Sequence, residues 1–366
     1  MSDAAKTPPP GRALWEITTK CDLRCDHCLV DAGAAREDEL TTDEALDVVD
    51  QLAELGVRAV SLTGGEPLLR EDWPLLARRV REHGMILRFS ANGHHLDDDA
   101  LAVLVELGCE RFAVSVDGLE ATHDRVRHGP RGVRGVSSFQ RVVAALERLR
   151  PTPILSNAIT AVGRHNLGEL PAIHELLKGL GVAEWMVQLA HRTGRLRSPK
   201  EGEGSAAPLD PAQLPELEAF LVGAARDPLL QPFVHNSIGY MGRSEPVLRS
   251  SGRRGPARFW TGCRCGVASV GIAPDGGVKG CANQIGAPFV VGHVRTERLR
   301  AIWEDRARWH WLHPAPEAMG PGCRGCALAR ICQAGCTALS FGATGHLFDN
   351  PYCLRRLCKA GAPEEP

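Results

Sequence analysis

Three cysteines near the start of the chain, Cys21, Cys25 and Cys28, have a spacing that suits chemistry. Three residues separate the first pair and two separate the second, directly after an apolar run at 13–18. Thiolates this close together are the usual ligands of a [4Fe–4S] cluster. Because there are three of them, one of the four irons would stay open to another molecule. A zinc site and three unrelated buried thiols are alternatives that the spacing alone leaves open.

Most of the other cysteines lie in the last third of the chain. The sequence has 13 cysteines, and this C-terminal group comprises Cys263, Cys265, Cys281, Cys323, Cys326, Cys332, Cys336, Cys353 and Cys358. Cys109 lies apart from both groups, in an apolar context typical of a protein core. In a reducing compartment, metal binding explains so many cysteines better than disulfides do. A pair of zinc knuckles is the alternative to iron–sulfur clusters here.

Composition and charge exclude several classes of protein. The 43 Lys and Arg residues balance 44 Asp and Glu, the formal net charge is −1, and no basic block stands out, so nucleic acid is not an expected partner. No apolar run approaches the roughly 20 residues of a bilayer span, and the N-terminus has no signal-peptide core. We therefore expect a cytoplasmic protein with no membrane partner. A chain of 366 residues allows a main domain plus a smaller one.

Apolar segments alternate between the strand period and the helix period after the first cysteines. Strands are predicted at 13–18, 57–62, 86–90, 111–116, 154–160 and 184–189, and helices at 41–55, 72–83, 97–107, 120–126, 138–149, 170–180 and 214–225. Six strands alternating with helices predict an α/β fold with a parallel sheet and right-handed crossovers. The alternation by itself fits a barrel and a doubly wound sheet equally well.

Glycines and polar residues occur at or near the ends of these strands, where the chemistry of barrel folds lies. They are Gly64, Gly65, Glu66, Asn92, Ser115 and Asp117. Arg127 lies further past the strand at 111–116, and Asn157 lies within the strand at 154–160. Glycines let the backbone approach a ligand, and a guanidinium fork suits a carboxylate. The other interpretation is that Asn92 and Asp117 only build tight turns and that Arg127 is a solvated helix charge.

The Cys-x3-Cys-x2-Cys loop after a first strand, followed one βα unit later by Gly64-Gly65-Glu66-Pro67, resembles the signature of the radical SAM enzymes. His27 stands where that family usually has an aromatic residue. The resemblance implies a partial (β/α)6 TIM-like barrel whose three loop cysteines are the catalytic ligands. The open iron then chelates S-adenosylmethionine (SAM), and one-electron reduction yields a 5′-deoxyadenosyl radical that abstracts hydrogen from a substrate. By the same resemblance, the SAM pocket contains Gly64, Gly65, Glu66, Asn92, Ser115, Asp117, Arg127 and Asn157.

The C-terminal cysteines resemble the pattern of the SPASM domain, a small Cys-rich extension of many radical SAM enzymes that carries two auxiliary [4Fe–4S] clusters. The resemblance implies three [4Fe–4S] clusters in total. The first auxiliary cluster would take Cys281, Cys336 and one or both of Cys263 and Cys265, and the second would take Cys323, Cys326, Cys332 and Cys353. Cys358 is a surplus thiol. Because the two ligand sets interleave, loss of either cluster is expected to unfold this region.

These features divide the chain into four segments. We predict a disordered N-terminus at 1–11, the radical SAM partial barrel at 12–195, a linker or bridging region at 196–258 and the SPASM domain at 259–360. The linker begins with a Gly-, Ser- and charge-rich stretch and ends near Arg253 and Arg254, whose role the sequence does not assign.

The SPASM group implies a peptide substrate, with oxidation or cross-linking during ribosomal peptide maturation, as in the pyrroloquinoline quinone and mycofactocin types. An external one-electron reductant of flavodoxin or ferredoxin type is implied too. Residues 1–11 are too few for a leader-binding domain, so either a separate leader-binding protein is needed or the substrate is no leader peptide. Ala282 follows Cys281 where sulfatase maturases carry an aspartate base, which disfavours that type.

Three other functions stay open. The first is action on a small molecule in cofactor or haem-type biosynthesis. The second is peptide epimerisation, with Cys358 or an unligated Cys263 as the thiol that donates hydrogen. The third is a non-catalytic iron–sulfur or zinc scaffold. The sequence offers no rival catalytic set, because it has no Ser-His-Asp arrangement, phosphate-binding Gly-x4-Gly-Lys loop or His-Glu-x2-His helix.

Overall fold

The computed structural model describes residues 7–129, 137–197, 206–235, 237–251 and 259–360, with the backbone alone at 358–360. Within these ranges, ten strands form one sheet in the linear order β10-β9-β8-β1-β2-β3-β4-β5-β6-β7. The strands are β1 (Arg12–Thr18), β2 (Ala59–Gly64), β3 (Ile86–Ala91), β4 (Arg111–Ser115), β5 (Leu155–Val162), β6 (Glu184–Leu189), β7 (Pro232–Val234), β8 (Ser269–Ile272), β9 (Gly277–Lys279) and β10 (Gly292–His293). Neighbouring strands from β8 through β1 to β7 pair in parallel, and the linear order leaves the sheet open.

Helices connect the parallel strands and cover the sheet. They are α1 (Thr42–Leu55), α2 (Trp73–Glu82), α3 (Asp98–Glu106), α4 (Glu120–Val126), α5 (Ser138–Leu149), α6 (Leu170–Gly179), α7 (Leu214–Ala224), α8 (Glu245–Ser250), α9 (Leu299–Glu304), α10 (Ala329–Cys332), α11 (Thr337–Thr344) and α12 (Leu354–Ala360). The predicted strands and helices are confirmed to within two residues. None of the helices in the described ranges combines the length and the apolar character that a membrane crossing needs.

Local sequence explains why α1 begins and ends where it does. The Thr41 side chain accepts from the backbone N–H of Glu44, and the Glu44 carboxylate accepts from the N–H of Thr41, which forms a capping box. Gly56 ends the helix in the left-handed conformation, with φ 89°. The face turned to the sheet is apolar and buried, and includes Ala45, Val48, Val49, Leu52 and Leu55.

The parallel register brings the carboxyl ends of β1 to β6 to one edge of the sheet. Thr18 lies opposite Gly64, and Ser115 lies opposite Ile159. Side chains that directly follow these strands therefore meet at this edge, which is where ligands bind in barrels of this kind.

Two segments differ from the prediction. The region predicted as a linker or bridging region contains the predicted helix, α7, but it also contributes two elements that were not predicted, α8 and β7, and β7 pairs in parallel with β6. Its Gly- and Ser-rich stretch at 201–205, and Arg253 and Arg254, lie outside the described residues. Residues 7–11, predicted to be disordered, are instead packed, because the carbonyl of Pro8 accepts a 3.0 Å hydrogen bond from the indole of Trp303.

The C-terminal region joins the same sheet as the barrel. Strand β8 pairs in parallel with β1, with Ala13 opposite Val270, and β9 returns antiparallel to β8. On this side, Lys279 donates to the Glu16 carboxylate at 2.7 Å, with side-chain exposures of 5% and 4%. Burial raises the pKa of Glu16, although Lys279 works in the opposite direction. A buried ion pair therefore connects the first barrel strand to the C-terminal region.

Replacing Lys279 with alanine is expected to lower the free energy of unfolding by about 3–5 kcal/mol, because the Glu16 carboxylate stays buried without its partner. The loss should shrink as the pH falls and Glu16 takes up a proton. Denaturant unfolding of the purified protein measures it.

The double variant Glu16→Gln/Lys279→Met is expected to recover much of this loss, since neither side chain then carries a charge. Arg298→Ala, which removes an exposed pair with Glu54, serves as the control and should have a small effect. A Lys279→Ala effect no larger than that of Arg298→Ala would show that the buried pair does not join the two regions.

Candidate active site and thiol groups

The cysteine loop, residues 19–33, follows β1 without regular secondary structure. Its two ends are closed on each other by the N–H of Cys21, which donates to the carbonyl of Gly33 at 2.8 Å. The end of α4 anchors its middle, because the N–H of Asp26 donates to the carbonyl of Val126 at 3.0 Å. One hydrogen bond within the loop and one to α4 thus fix the backbone that carries the three cysteines.

Gly64 and Gly65 hold the root of this loop. The N–H of Gly65 donates to the carbonyl of Thr18, and that of Glu66 donates to Lys20, both at 2.8 Å. A Cβ on Gly64 would lie 2.3 Å from the carbonyl oxygen of Thr18, and one on Gly65 would lie 2.4 Å from that of Lys20. Only glycine fits against this backbone.

The thiols of the loop lie among hydrogen-bond donors, with Cys25 buried and Cys21 and Cys28 half-buried. Backbone N–H groups of Leu23 and Ala32 point at the sulfurs of Cys21 and Cys28, at 3.4 and 3.3 Å. Burial raises the pKa of Cys21 to about 12 and that of Cys25 to about 11, so the bare thiols are protonated at neutral pH. A bound metal displaces these protons, and the inward donors then stabilise the thiolate charge. This donor set fits an iron–sulfur cluster.

A cavity of about 340 Å³ opens beside the three cysteines. Among the residues predicted to bind SAM, those that line it are Gly64, Gly65, Asn92, Ser115 and Arg127. Arg127 extends from the end of α4 and places one guanidinium nitrogen 3.8 Å from the sulfur of Cys25. The strand ends therefore bring most of the predicted SAM residues to one place.

Two predicted residues, Glu66 and Asp117, lie behind the cavity wall and are fully buried. The Glu66 carboxylate accepts from the backbone N–H of Asn92 at 2.6 Å, and burial raises the pKa of Glu66 to about 7. Asp117 accepts from Nε of Arg127 at 2.5 Å and lies 2.9 Å from Nε2 of His27. Although burial works in the opposite direction, Arg127 and His27 hold the pKa of Asp117 well below its usual range. These carboxylates position residues that line the cavity.

The structure does not bring Asn157 into this cavity. Its amide donates to Glu184 at 3.2 Å, near the start of β6. The β5 residues that line the cavity are Ile159 and Ala161, which lie further along the strand. Asn157 therefore lies too early along β5 to reach the edge of the sheet where the cavity opens.

Sequence reasoning missed Arg195, which lies in a short turn six residues past the end of β6. Its guanidinium donates to the carbonyl of Cys25 at 2.9 Å and to the Asp31 carboxylate at 2.7 Å, and its N–H donates to Cys28 at 3.1 Å. Gly194 lies against the same loop, with space for no Cβ. A Gly-Arg pair just past a predicted strand was the available signal.

Asp22, inside the cysteine loop, is a second residue that the sequence reasoning missed. Its carboxylate accepts from the amide of Asn92 at 2.7 Å and contacts His94 and His95 at 2.9 and 3.2 Å. Although burial opposes the shift, these histidines hold the pKa of Asp22 well below its usual range. The loop is thereby tied to the end of β3.

The C-terminal cysteines form two groups of four. The inner thiol group comprises Cys263, Cys265, Cys281 and Cys336, in which Cys265 hydrogen-bonds to both Cys263 and Cys281 and Cys336 interacts electrostatically with Cys263 and Cys281. The outer thiol group comprises Cys323, Cys326, Cys332 and Cys353, which line one cavity of about 360 Å³. Both Cys263 and Cys265 thus belong to the inner group, and four thiols around one space are the ligand set of a [4Fe–4S] cluster.

The inner thiol group lies next to the active-site cavity, because Ala282 and Asn283, directly after Cys281, line that cavity. The outer group lies nearer to solvent, and its Cys326 is exposed. Within the described ranges, no three Cys, His, Asp or Glu side chains are placed to hold a single metal ion.

Comparison with known proteins identifies the family. The model of the radical SAM superfamily matches residues 15–177, and that of SPASM, an iron–sulfur cluster-binding domain, matches residues 263–327. An AdoMet-dependent heme synthase of Methanosarcina barkeri is 30% identical over 361 residues, which cover 96% of this chain and 98% of the relative. The chain belongs to the radical SAM superfamily. It is an enzyme that binds SAM and a [4Fe–4S] cluster, and its SPASM domain binds additional iron–sulfur clusters.

This radical SAM enzyme is also similar to a peptide maturase in sequence and to a solved structure in fold. Mycofactocin maturase MftC of Mycobacterium ulcerans is 30% identical over 342 residues, covering 92% of this chain and 85% of the relative. The crystal structure of Streptococcus suis SuiB bound to S-adenosylmethionine superposes with a TM-score of 0.68 at 15% identity, over 94% of this chain and 76% of SuiB. The second similarity establishes the fold alone, the partial barrel with its SPASM extension.

Removing the three loop cysteines tests the assignment of ligands. Anaerobically reconstituted wild type is expected to hold roughly 12 irons per chain, and Cys21→Ala/Cys25→Ala/Cys28→Ala about 8, as three [4Fe–4S] clusters minus one require. Iron and sulfide analysis with visible absorption measures both.

The single variant Cys109→Ala is the matched control, because Cys109 is a buried thiol outside the three groups. It should keep the full iron content. Equal iron in the triple variant and in wild type would remove the cysteine loop as a cluster site.

Proposed function

We propose that this radical SAM enzyme abstracts hydrogen from a peptide and leaves an oxidised residue or a cross-link. In this proposal the three loop cysteines ligate the cluster that binds SAM. SAM is contacted by Gly64, Gly65, Asn92, Ser115 and Arg127. The cluster and SAM together supply one-electron hydrogen abstraction, and the chain supplies orientation and exclusion of water.

The contacts behind the cavity explain how the SAM-binding residues are held. The carboxylate of Asp117 fixes the orientation of Arg127, and that of Glu66 fixes the backbone of Asn92. Both act through another residue and are positioning residues. Asn157 has no role in this proposal.

A peptide is proposed because most cationic side chains at the cavity already have anionic or carbonyl partners. Of the described cations that line it, Arg127 is paired with Asp117 and Arg195 with Asp31 and loop carbonyls, which leaves Arg12 at the start of β1 available to a substrate carboxylate. Lys279, behind β1, is paired with Glu16. A tetrapyrrole with several carboxylates would need cations that are free to pair with it. Neutral polar groups of Ser90, Gln188 and Asn283 line the cavity as well, and these suit the amide groups of a peptide.

The positions of the thiols favour oxidation or cross-linking over epimerisation. We propose that all four members of the inner thiol group ligate the first auxiliary cluster, which leaves no iron of that cluster open and no free thiol at Cys263. The second auxiliary cluster takes the outer group. Among the described side chains, the cysteines that line the active-site cavity are those of the loop itself. The side chain of Cys358 lies outside the described residues.

A second candidate is action on a haem-type small molecule. The similarity to AdoMet-dependent heme synthase over 98% of that relative's length favours it. The full-length similarity to the maturase MftC, at the same 30% identity, favours a peptide. We favour the peptide because most of the cationic side chains at the cavity are already paired.

The reductant is proposed to dock beside the outer thiol group. Arg324 and Arg330 are exposed close in sequence to Cys326, which is exposed as well. Arg355 and Arg356 line the cavity of the outer thiol group. A positive surface around a cluster near solvent suits a flavodoxin or ferredoxin with an acidic docking face. Such carriers, and the reduced thiols, agree with a cytoplasmic location.

The substrate is tested by SAM cleavage. We expect a short peptide encoded next to the gene to raise the rate of 5′-deoxyadenosine formation about tenfold or more. This factor corresponds to lowering the activation barrier by about 1.4 kcal/mol or more. The assay is run with and without a neighbouring leader-binding protein. By mass spectrometry the peptide should lose two hydrogens, one as the abstracted atom and one as a proton and an electron, for which the SPASM clusters would be the acceptor.

The control is the same assay with an iron porphyrin carboxylate in place of the peptide. Stimulation by the porphyrin alone would replace the first candidate with the second. A peptide of unchanged mass but altered chirality would establish epimerisation instead.

The docking surface is tested by charge reversal. Arg324→Glu/Arg330→Glu is expected to slow turnover driven by a flavodoxin roughly tenfold or more at low salt, because steering by charge is lost. Dithionite is a small reductant that needs no docking surface and should drive variant and wild type at comparable rates.

Arg148→Glu, which alters an exposed arginine on the barrel helix α5, is the matched control. An equal slowing in both variants would show a general charge effect, and no slowing in Arg324→Glu/Arg330→Glu would place the docking surface elsewhere.

A further inference from the structure

His191 is a buried histidine in the wall of the active-site cavity. It lies two residues past the end of β6 and is 2% exposed. Neither of its ring nitrogens has a hydrogen-bond partner in the described part of the chain. Buried polar groups are nearly always hydrogen-bonded, and one that is not costs free energy unless a partner arrives from elsewhere.

The backbone on both sides of His191 is fixed. The N–H of Ala190 donates to the carbonyl of Val162 at 2.8 Å, and the carbonyl of His191 accepts from Thr193 at 2.9 Å. Gly194 lies against the cysteine loop, and the carbonyl of Arg192 lies 3.0 Å from the place where a Cβ on Gly342 of α11 would be. The imidazole is therefore carried by a segment held between the catalytic loop and the SPASM domain.

The ring is neutral in these surroundings. Burial lowers the pKa of His191 to about 4, and no charged group contributes to the shift. A neutral imidazole offers one N–H donor and one nitrogen acceptor. A peptide group likewise offers one donor and one acceptor, whereas a carboxylate only accepts.

We propose that His191 hydrogen-bonds to an amide of the peptide substrate and so fixes which residue faces the radical site. This inference rests on the proposed function. The cavity is the space from which a partner can reach the ring, since His191 lines it. The arrangement makes His191 a substrate-binding residue that is independent of the cysteines and of the residues proposed to hold SAM.

His174 provides a matched control. It is also a buried histidine of the barrel, but its Nε2 has a partner, the carbonyl of Leu230 at 2.7 Å, and its ring stacks on Trp185. It does not line the active-site cavity. A substitution there tests the cost of losing a buried imidazole without touching the proposed contact.

The experiment compares wild type, His191→Ala, His191→Asn and His174→Asn, each with reconstituted clusters and each titrated anaerobically with SAM and then with the peptide that stimulates wild type. His191→Ala is expected to weaken peptide binding and raise KM roughly tenfold, with SAM affinity changed by less than about twofold. His191→Asn should recover part of the loss, because its amide keeps a donor and an acceptor. His174→Asn should bind the peptide like wild type.

Iron content and circular dichroism of each variant establish that it is folded, and His191→Asn carries the test if His191→Ala does not fold. Peptide affinity unchanged in both His191 variants would overturn the inference while leaving the proposed function intact. Loss of SAM binding with unchanged peptide affinity would assign His191 to SAM and overturn it too. A wild type that ignores the peptide removes the proposed function and, with it, this inference.

Discussion

The structure depends on the hydrogen bonds that other elements make to the irregular cysteine loop. The cysteine loop has no ladder of its own to satisfy its backbone, yet it must present three thiols to one cluster. The ends of three other elements supply the missing hydrogen bonds: the turn after β2 through Glu66, the end of α4 through Val126, and the segment after β6 through Arg195. The parallel sheet is what brings those ends together. The barrel therefore serves to fix the conformation of one irregular loop.

Much of the fold could be predicted because its signals are local. The 3.6-residue period, the Thr41 cap and Gly56 define α1, and similar patterns define the strands up to β6. Cysteine spacing likewise indicated the loop, whereas the two C-terminal ligand sets were implied by the resemblance to the SPASM domain and stay a prediction. The rest depends on contacts between distant segments. Strands as short as β7 and β8 carry too little pattern to be recognised, and their pairing with β6 and β1 is decided by the tertiary fold.

The candidate site shows the same division. Gly64 and Gly65 were expected to admit a ligand, and the structure adds a reason that no local pattern contains, the close approach of the Thr18 and Lys20 carbonyls. Asn157 has an amide that could bind a ligand, but it lies nearer the start of β5 than the residues that line the cavity. The two-residue period of a strand predicts which side chains share a face, and it does not predict how far along the strand the cavity lies. The partners of Arg195 and Asp22 are far away in sequence, so only the folded chain identifies these residues.

The interleaving of the inner and outer thiol groups has a consequence for biosynthesis. A ribosome releases every anchor of the cysteine loop, Arg195 included, before it reaches Cys263, so the catalytic site can mature on a nascent chain. The inner group instead waits from Cys263 to Cys336, roughly 4–15 seconds at ~5–20 residues per second, and the outer group waits from Cys323 to Cys353, roughly 2–6 seconds. During this time the early thiols carry no cluster and are open to oxidation. All three cluster sites therefore depend on thiols that stay reduced while the chain is still being made.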